Sequence, residues 1–380
     1  MKPVRAIRIG CQLASAHLIL ILLSGPATSI AAAAVSASVV KAIKDAEAKG
    51  YTFVGNHDEI VSRAKREGIL RVLCAFSAAT LKHLTAAFKT KYSFIDARAE
   101  EVRGTDVYLR MLQEMKSGLT KGQDVNLLSY DFYGEYLPYQ KKFDILGMAE
   151  TKVLQIPVQT VDPINRNIVA VSSGIQVVAY NKKQMAAERV PGVWEDFLKP
   201  EFKEKKFVID IRPKDVASLV PVWGLEKTVE FARKLGAQNP IWARGNTRVI
   251  TGMLAGEHAL HFGPNYDVIL RAKEKDTNNV LALKVIEPVP VRLNEAQSVL
   301  SSAENPHAAL LWLEFLASPE GQKILDENGP YEGSAFVQGT VQEQAVRGKK
   351  LSVVDWNHFT KIQDYEKKIV EAYGFPRAEQ

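Results

Sequence analysis

The sequence contains very little cysteine, with only Cys11 and Cys74 among its 380 residues. Residues 1–33 begin with three basic residues, continue with a short apolar core and offer several A-x-A sites, which is typical of a secretory signal peptide. After its removal the chain would keep Cys74 alone, and a single cysteine cannot form an internal disulfide. We therefore expect a periplasmic protein that is stabilised by its packed core.

Apolar runs long enough to span a membrane and blocks of one charge are also missing. The apolar core of the signal peptide is too short to span a membrane. Removing residues 1–33 would lower the formal net charge from +6 to +3, and the remaining Lys and Arg residues alternate with acidic ones. Because no basic stripe could follow a line of phosphates, we expect no nucleic-acid partner.

Enzyme motifs are absent as well. The sequence has no P-loop, no G-x-S-x-G nucleophile elbow, and neither a CxxC nor an HExxH motif. His258 and His261 are three residues apart on a predicted strand, so their side chains would point to opposite faces and could not share a metal ion. The expectation is a protein without catalytic residues and without a cofactor.

One long apolar segment organises the sequence. Asn167 to Asn181 reads NIVAVSSGIQVVAYN, which predicts a buried strand, and sets of alternating strands and helices lie on both sides of it. Two such sets joined by a crossing strand predict an α/β protein with two lobes, each a mixed, mostly parallel sheet flanked by helices. The ligand cleft would lie between the lobes, and we expect hinges near Ser172 to Val177 and Val285 to Val291.

The same pattern predicts the domain boundaries. We expect a signal peptide at 1–33 and an N-terminal helix with a linker at 34–66. Lobe 1 is expected to be discontinuous, at 67–171 and 286–350, with lobe 2 inserted at 172–285. A C-terminal helical segment is expected at 351–380.

Candidate ligand residues follow the predicted strands of lobe 1, because the turns after parallel strands gather at one edge of a sheet. They lie in three successive turns: Ser77 and Thr80, Arg103 and Thr105, and Tyr130 and Asp131. The hydroxyl groups of Ser77 and Thr80 could equally be simple helix caps.

In lobe 2 the candidates are Arg212, Asp215, Asn265 and Tyr266. Arg212 precedes a helix N-terminus, whose free N–H groups suit an anion, and its guanidinium would add a bidentate donor. This composition favours a phosphonate, a carboxylate or an oxyanion as the solute. The alternative for Arg212 is a solvated loop in which it pairs with a surface acid.

Three segments carry a resemblance to a known family. They are VPGVWEDFLKPEFKEKKFVIDIRP, GMLAGEHALHFGPNYD and NPHAALLWLEFLASPEGQKILDENGPYEG, at residues 190–213, 252–267 and 305–333. In this order they resemble the extracellular solute-binding proteins of ABC importers, in the group that includes the ferric-iron-binding proteins. The resemblance implies a type II periplasmic binding fold and a monomer that delivers its solute to an ABC permease and ATPase at the inner membrane.

The resemblance also makes ferric iron a candidate for the transported ligand. Ferric-binding relatives have two adjacent tyrosines where this sequence has Asn265, Tyr266 and Asp267, so only Tyr266 and Asp267 could serve as metal ligands. Asp267 could instead complement a helix dipole. Cys74 is expected to be a buried structural thiol, with a contact to a thiophilic solute as the alternative. A sensor that partners a membrane kinase, or a secreted enzyme on the same fold, remain alternative functions.

Overall fold

The computed structural model describes residues 36–120, 122–328 and 331–375. The predicted signal peptide and the side chain of Asp131 lie outside the described residues. The strands in this part of the chain are β1 (Ile69–Cys74), β2 (Asp96–Glu101), β3 (Val125–Leu127), β4 (Ile168–Asn181), β5 (Val208–Asp210), β6 (Ile241–Ala243), β7 (Leu260–Asn265), β8 (Leu281–Lys284), β9 (Val289–Val299) and β10 (Leu351–Val354).

Helices flank these strands. The α-helices are α1 (Ala37–Ala48), α2 (His57–Glu67), α3 (Ala78–Lys91), α4 (Thr105–Lys116), α5 (Tyr133–Tyr136), α6 (Ile145–Glu150), α7 (Lys214–Ala217), α8 (Val220–Trp223), α9 (Leu225–Ala237), α10 (Asn246–Ala255), α11 (Tyr266–Glu274), α12 (Pro306–Ala317), α13 (Pro319–Asn328), α14 (Val341–Val346), α15 (Trp356–Phe359) and α16 (Ile362–Tyr373). Short 3-10 helices lie at Tyr130–Phe132, Leu137–Tyr139, Val158–Thr160, Ala187–Arg189, Trp194–Leu198 and Pro200–Phe202. No helix in the described ranges is both long and apolar enough to cross a membrane.

The strands join in the order β2-β1-β3-β9-β4-β7-β5-β6, with β10 added on β9 and β8 on β4. Strand β1 is parallel to β2 and β3, and β5 is parallel to β6 and β7, whereas β4 is antiparallel to its neighbours. The mixed, mostly parallel arrangement agrees with the α/β class predicted from the sequence.

Strand β4 belongs to both lobes. Its first half, from Ile168 to Ile175, pairs with β9, and its second half, from Val178 to Asn181, pairs with β7 and β8. The pairing shifts between Gln176 and Val178. Because β4 is almost fully buried along its length, its sequence is nearly continuous in apolar residues rather than alternating.

Each lobe has an aromatic centre in its own core. In lobe 1 the ring of Phe88 packs edge-on against that of Trp312, with centroids 5.4 Å apart. In lobe 2 the ring of Phe197 packs against that of Phe262 at 4.9 Å. All four side chains are fully buried, so each lobe has an aromatic core of its own.

The chain after α14 contacts both lobes. Strand β10 pairs in parallel with β9, although a helical segment was predicted from residue 351 onward. The aromatic residues of α15 then pack among those of lobe 1, where Phe359 contacts Tyr130. Helix α16 places Ile369 and Tyr373 in the core of lobe 2, against α9.

Candidate functional site

A cavity of about 550 Å³ lies where β4 and β9 pass between the lobes. Lobe 1, the crossing strands and lobe 2 all contribute to its lining. The polar residues that line it include Ser129, Tyr130, Ser172, Ser173, Gln176, Arg212, Lys214, Asp215, Ser218, Asn246, Asn265, Asp267, Arg292, Asn294, Glu295, Tyr331, Glu332 and Gln342.

Arg292 projects into this cavity from β9, where it is the backbone partner of Gly174 on β4. Its Nη2 atom is buried and has no hydrogen-bond partner within the part of the chain that the structure describes. A buried guanidinium nitrogen without a partner is costly, because it has lost its water without a replacement. An anionic oxygen atom in the cavity would supply that partner.

Asp215 and Gln176 form a buried pair on the same cavity. The Nε2 atom of Gln176 donates to Oδ1 of Asp215 at 2.9 Å. The other oxygen of each side chain, Oδ2 of Asp215 and Oε1 of Gln176, is buried without a partner among the described residues. Burial raises the pKa of Asp215 well above its ordinary value. Burial therefore favours the neutral form of this carboxyl group.

Glu295 reaches the cavity through an irregularity in β9. Its φ angle is 49°, in the left-handed region that residues other than glycine rarely adopt. The side chain accepts a hydrogen bond from the backbone N–H of Ala75 at 3.3 Å. Burial raises the pKa of Glu295 to about 7. This carboxyl group therefore changes its charge near neutral pH.

Tyr130 brings a phenol group to the lobe 1 side of the cavity. Its ring packs on that of Phe359, with centroids 3.9 Å apart. The hydroxyl group is buried without a hydrogen-bond partner in the described chain, and burial raises the pKa of Tyr130 well above its usual range. The hydroxyl is consequently a neutral donor that is free to bind a solute.

The structure brings five of the predicted site residues together on this cavity. They are Tyr130, Arg212, Asp215, Asn265 and Asp267. Their roles toward a ligand stay predictions. Arg212 donates to Asp210 from both Nε and Nη2, so one edge of its guanidinium group is already bound within the protein.

Four further predicted residues lie outside the lining. Ser77 caps α3 by accepting from the backbone N–H of Thr80, and the hydroxyl of the buried Thr80 donates to the carbonyl oxygen of Asn328 at 3.0 Å. Arg103 is exposed and donates to the carbonyl oxygen of Ala75 at 2.9 Å. Thr105 is exposed at the start of α4.

Tyr266 also lies outside the lining. It packs against two apolar clusters of the core, beside Val285, and burial raises the pKa of its phenol. Its neighbour Asp267 does line the cavity but is bound by Arg271, whose Nη2 atom donates to Oδ2 at 2.7 Å. Among the residues described, no group of three His, Cys, Asp or Glu side chains is placed to hold a metal ion.

Cys74 and the two predicted strand histidines do not line the cavity. Cys74 is fully buried in the lobe 1 core, and burial raises the pKa of its thiol well above the ordinary value. His261 lies on β7, where its ring contacts the carbonyl oxygen of Val208 and the side chain of Asn246. His258 precedes β7 rather than lying on a strand.

The residues that the sequence did not indicate lie on the crossing strands. Gln176 lies within the first predicted hinge segment, and Arg292 and Glu295 follow the second one, Val285 to Val291, but none of the three was chosen as a ligand. Strand β9 continues to Val299. The position of Arg292, a charged residue directly after an apolar, strand-like run, was the sequence signal that could have indicated it as a ligand residue.

Comparison with known proteins addresses the identity of the fold. A family model described as bacterial extracellular solute-binding protein matches residues 138–361, which is more than half of the chain. No curated protein matches the sequence.

Several solved structures share the fold at low sequence identity. An iron- and citrate-bound IdiA (FutA) from Trichodesmium is 20% identical, with a TM-score of 0.62 over 81% of this chain and 100% of that one. Iron-bound HitA from Pseudomonas aeruginosa is 17% identical, with a TM-score of 0.56 over 79% and 99%. A substrate-binding protein of an ABC transporter from Agrobacterium tumefaciens is 16% identical, with a TM-score of 0.54 over 79% and 94%. The fold is thus that of two-lobed periplasmic binding proteins.

Proposed function

The chain belongs to the bacterial extracellular solute-binding proteins, and on this premise we propose that it captures a small oxygen-rich anion between its lobes. The solute would be a phosphonate, a carboxylate or an oxyanion, and the loaded protein would deliver it to the permease of an ABC importer. The family consists of binding proteins for transport, so no catalytic residue is assigned. The predicted signal peptide supports a periplasmic location.

The observation that carries the proposal is the unpartnered guanidinium nitrogen of Arg292. Two uncharged donors face the same cavity, the hydroxyl groups of Tyr130 and Ser172. A hydrogen bond to a charged group contributes about 1.5 to 3 kcal/mol. An acid group would therefore be stabilised by its hydrogen bonds to Arg292 and to these hydroxyls.

A calorimetric titration with methylphosphonate, acetate and sulfate tests the proposal. We expect at least one of these anions to bind, and Arg292→Ala to weaken its binding by roughly tenfold to a hundredfold, at 1.4 kcal/mol per decade. Arg292→Lys should restore only part of the affinity, because an ammonium group lacks the planar fork. Arg110→Ala is the matched control, since Arg110 is an exposed residue of α4. Binding that is unchanged in Arg292→Ala would refute the proposed anion site.

Closure of the lobes around the solute is a further part of the proposal. The crossing strands β4 and β9 connect the lobes at the cavity, so a bend near Ser172 to Val177 would bring the two halves of the lining together. We expect the radius of gyration from small-angle scattering to fall when a bound anion is present. A ligand that binds by calorimetry without any compaction would contradict hinge closure.

Ferric iron is the second candidate solute, because two structures with this fold, from Trichodesmium and Pseudomonas aeruginosa, are iron-bound. We expect weak binding at most, since Tyr266 packs against the core and Asp267 already binds Arg271. Addition of ferric citrate should give no strong phenolate-to-iron absorption band. A strong visible band that Tyr266→Phe abolishes would instead establish iron as the solute.

A further inference from the structure

We propose that the solute is a zwitterion, with an acid group that binds at Arg292 and an ammonium group that binds between Asp215 and Gln176. This inference rests on the proposed function and names the class of solute more narrowly. It accounts for a feature that a simple anion leaves unexplained, namely that the cavity presents hydrogen-bond acceptors as well as donors.

The acceptors are two buried oxygen atoms. Asp215 and Gln176 are each 8% exposed, and both line the cavity. Their hydrogen bond to each other uses Oδ1 of Asp215 and Nε2 of Gln176. Oδ2 of Asp215 and Oε1 of Gln176 therefore have no partner in the described structure, and Oδ2 becomes an acceptor when the carboxyl group ionises. An ammonium group carries three N–H donors and can bind both.

The balance of charge in the cavity supports the same conclusion. Among the lining residues, Arg212 is bound to Asp210 and Asp267 to Arg271, so these charges are compensated within the protein. The lining residues without an ion pair in the described ranges are two bases, Arg292 and Lys214, and three acids, Asp215, Glu295 and Glu332. A ligand that carries one negative and one positive group would therefore meet partners of opposite charge for both.

The protonation of Asp215 is consistent with this arrangement. Burial raises the pKa of Asp215 and so favours the neutral carboxyl group in the ligand-free protein, while the nearby positive charge of Arg292 opposes that effect. An ammonium group at Oδ2 would favour the ionised form, so the carboxyl proton would pass to solvent as the buried ion pair forms. The groups that face Asp215 from neighbouring elements are Asp210, Arg292, Arg212 and Lys214.

The spacing of the two ends limits the length of the solute. Gly174 is the backbone partner of Arg292, and Gln176 lies two residues further along the same face of β4. Two residues of a strand span roughly 7 Å. An acid group and an ammonium group that are separated by two or three carbon atoms would fit between them, given a hydrogen-bond length of about 3 Å at each end.

Matched ligand pairs test the inference in the full mature chain. Calorimetry would compare 2-aminoethylphosphonate with ethylphosphonate, and β-alanine with propionate. We expect the amine-bearing member of at least one pair to bind tenfold or more tightly than its partner. Equal or tighter binding of the amine-free member would overturn the zwitterion and leave the anion site standing. No binding of any phosphonate, carboxylate or oxyanion would overturn both.

Two conservative variants separate the ammonium site from a general loss of fold. Asp215→Asn and Gln176→Met nearly keep the size of each side chain but each changes one of the two proposed ammonium partners, so each should reduce the preference for the amine-bearing ligand by fivefold or more. Affinity for the amine-free partner should stay the same or rise. Glu114→Gln, at an exposed acid of α4, is the control. An unchanged preference in both variants would overturn the assignment.

Discussion

Arg212 holds Asp210 in a two-pronged ion pair, with Nε at 3.0 Å from Oδ1 and Nη2 at 2.5 Å from Oδ2. Asp210 is almost fully buried and also accepts from the backbone N–H groups of Arg212 and Gly245. Although burial raises the pKa of Asp210, the hydrogen bonds from Arg212 outweigh it and keep the pKa below its ordinary value. The guanidinium of Arg212 thus serves the fold first, even though it lines the cavity.

We predict that Arg212→Ala lowers stability more clearly than it lowers affinity. The variant should lose about 1 to 2 kcal/mol of unfolding free energy, less than for a fully buried pair because Arg212 is half exposed. Its affinity for a bound anion should fall by less than fivefold. Urea unfolding and calorimetry on the same samples measure both quantities. An affinity loss as large as that of Arg292→Ala would place Arg212 in direct contact with the solute.

Removal of the Tyr130 hydroxyl should have opposite effects in the free and loaded protein. The hydroxyl is buried without a partner, so Tyr130→Phe should leave the ligand-free protein unchanged or stabilise it by up to about 1 kcal/mol. The same variant should weaken anion binding by roughly fivefold, since one donor is lost. Melting temperatures with and without anion report both effects. Tyr139→Phe, at a tyrosine outside the cavity lining, is the control.

Because Glu295 is buried, we predict that the folded protein becomes less stable as the pH rises toward neutral. Its pKa rises from 4.5 in the unfolded chain to about 7 in the folded protein. The stabilisation is fully present below pH 4.5 and is lost as the pH rises to 7, by roughly 3 kcal/mol at most. Glu295→Gln should therefore match the parent at pH 4 and exceed it by about 1 to 3 kcal/mol at pH 8. If the unfolding free energies of Glu295→Gln and the parent differ by the same amount at pH 4 and at pH 8, the buried position of this carboxyl group is contradicted.

We predict a second dependence of stability on pH, which arises from His57 in lobe 1. Its Nε2 atom contacts Oε2 of Glu314 at 2.7 Å, and the hydrogen bond to Glu314 raises the pKa of His57. A raised histidine pKa stabilises the fold below about pH 6.5, and the effect disappears as the pH rises through the folded-state pKa. His57→Gln should lose about 0.5 to 1 kcal/mol at pH 6 and little at pH 9, because the pair is partly exposed. His83→Gln, at an exposed residue of α3, serves as the comparison.

The sequence predicted the elements whose signals are local. Ser77 was expected to begin a helix, and it caps α3 by accepting from the backbone N–H of Thr80. The break at Ser318 and Pro319 separates α12 from α13. The apolar run of β4 predicted the crossing strand, because a strand buried on both faces has no polar side to show.

The cavity was less accessible to sequence reasoning, because its lining depends on pairing between distant strands. Arg292 faces the cavity only because β9 pairs with β4 in one register, and a shift of one residue would turn its side chain to the other face. Glu295 reaches it through a left-handed residue inside a strand, which no periodicity indicates. Tyr266 was chosen by resemblance, and the structure places it against the core.

The path of the chain after residue 350 has a consequence for how the protein matures. A growing chain that ends at Lys350 already contains every residue that lines the cavity, but it lacks α15, on which the ring of Tyr130 rests, and α16, which packs on lobe 2. Solute-binding competence should therefore appear only after α15 and α16 have been synthesised and have docked.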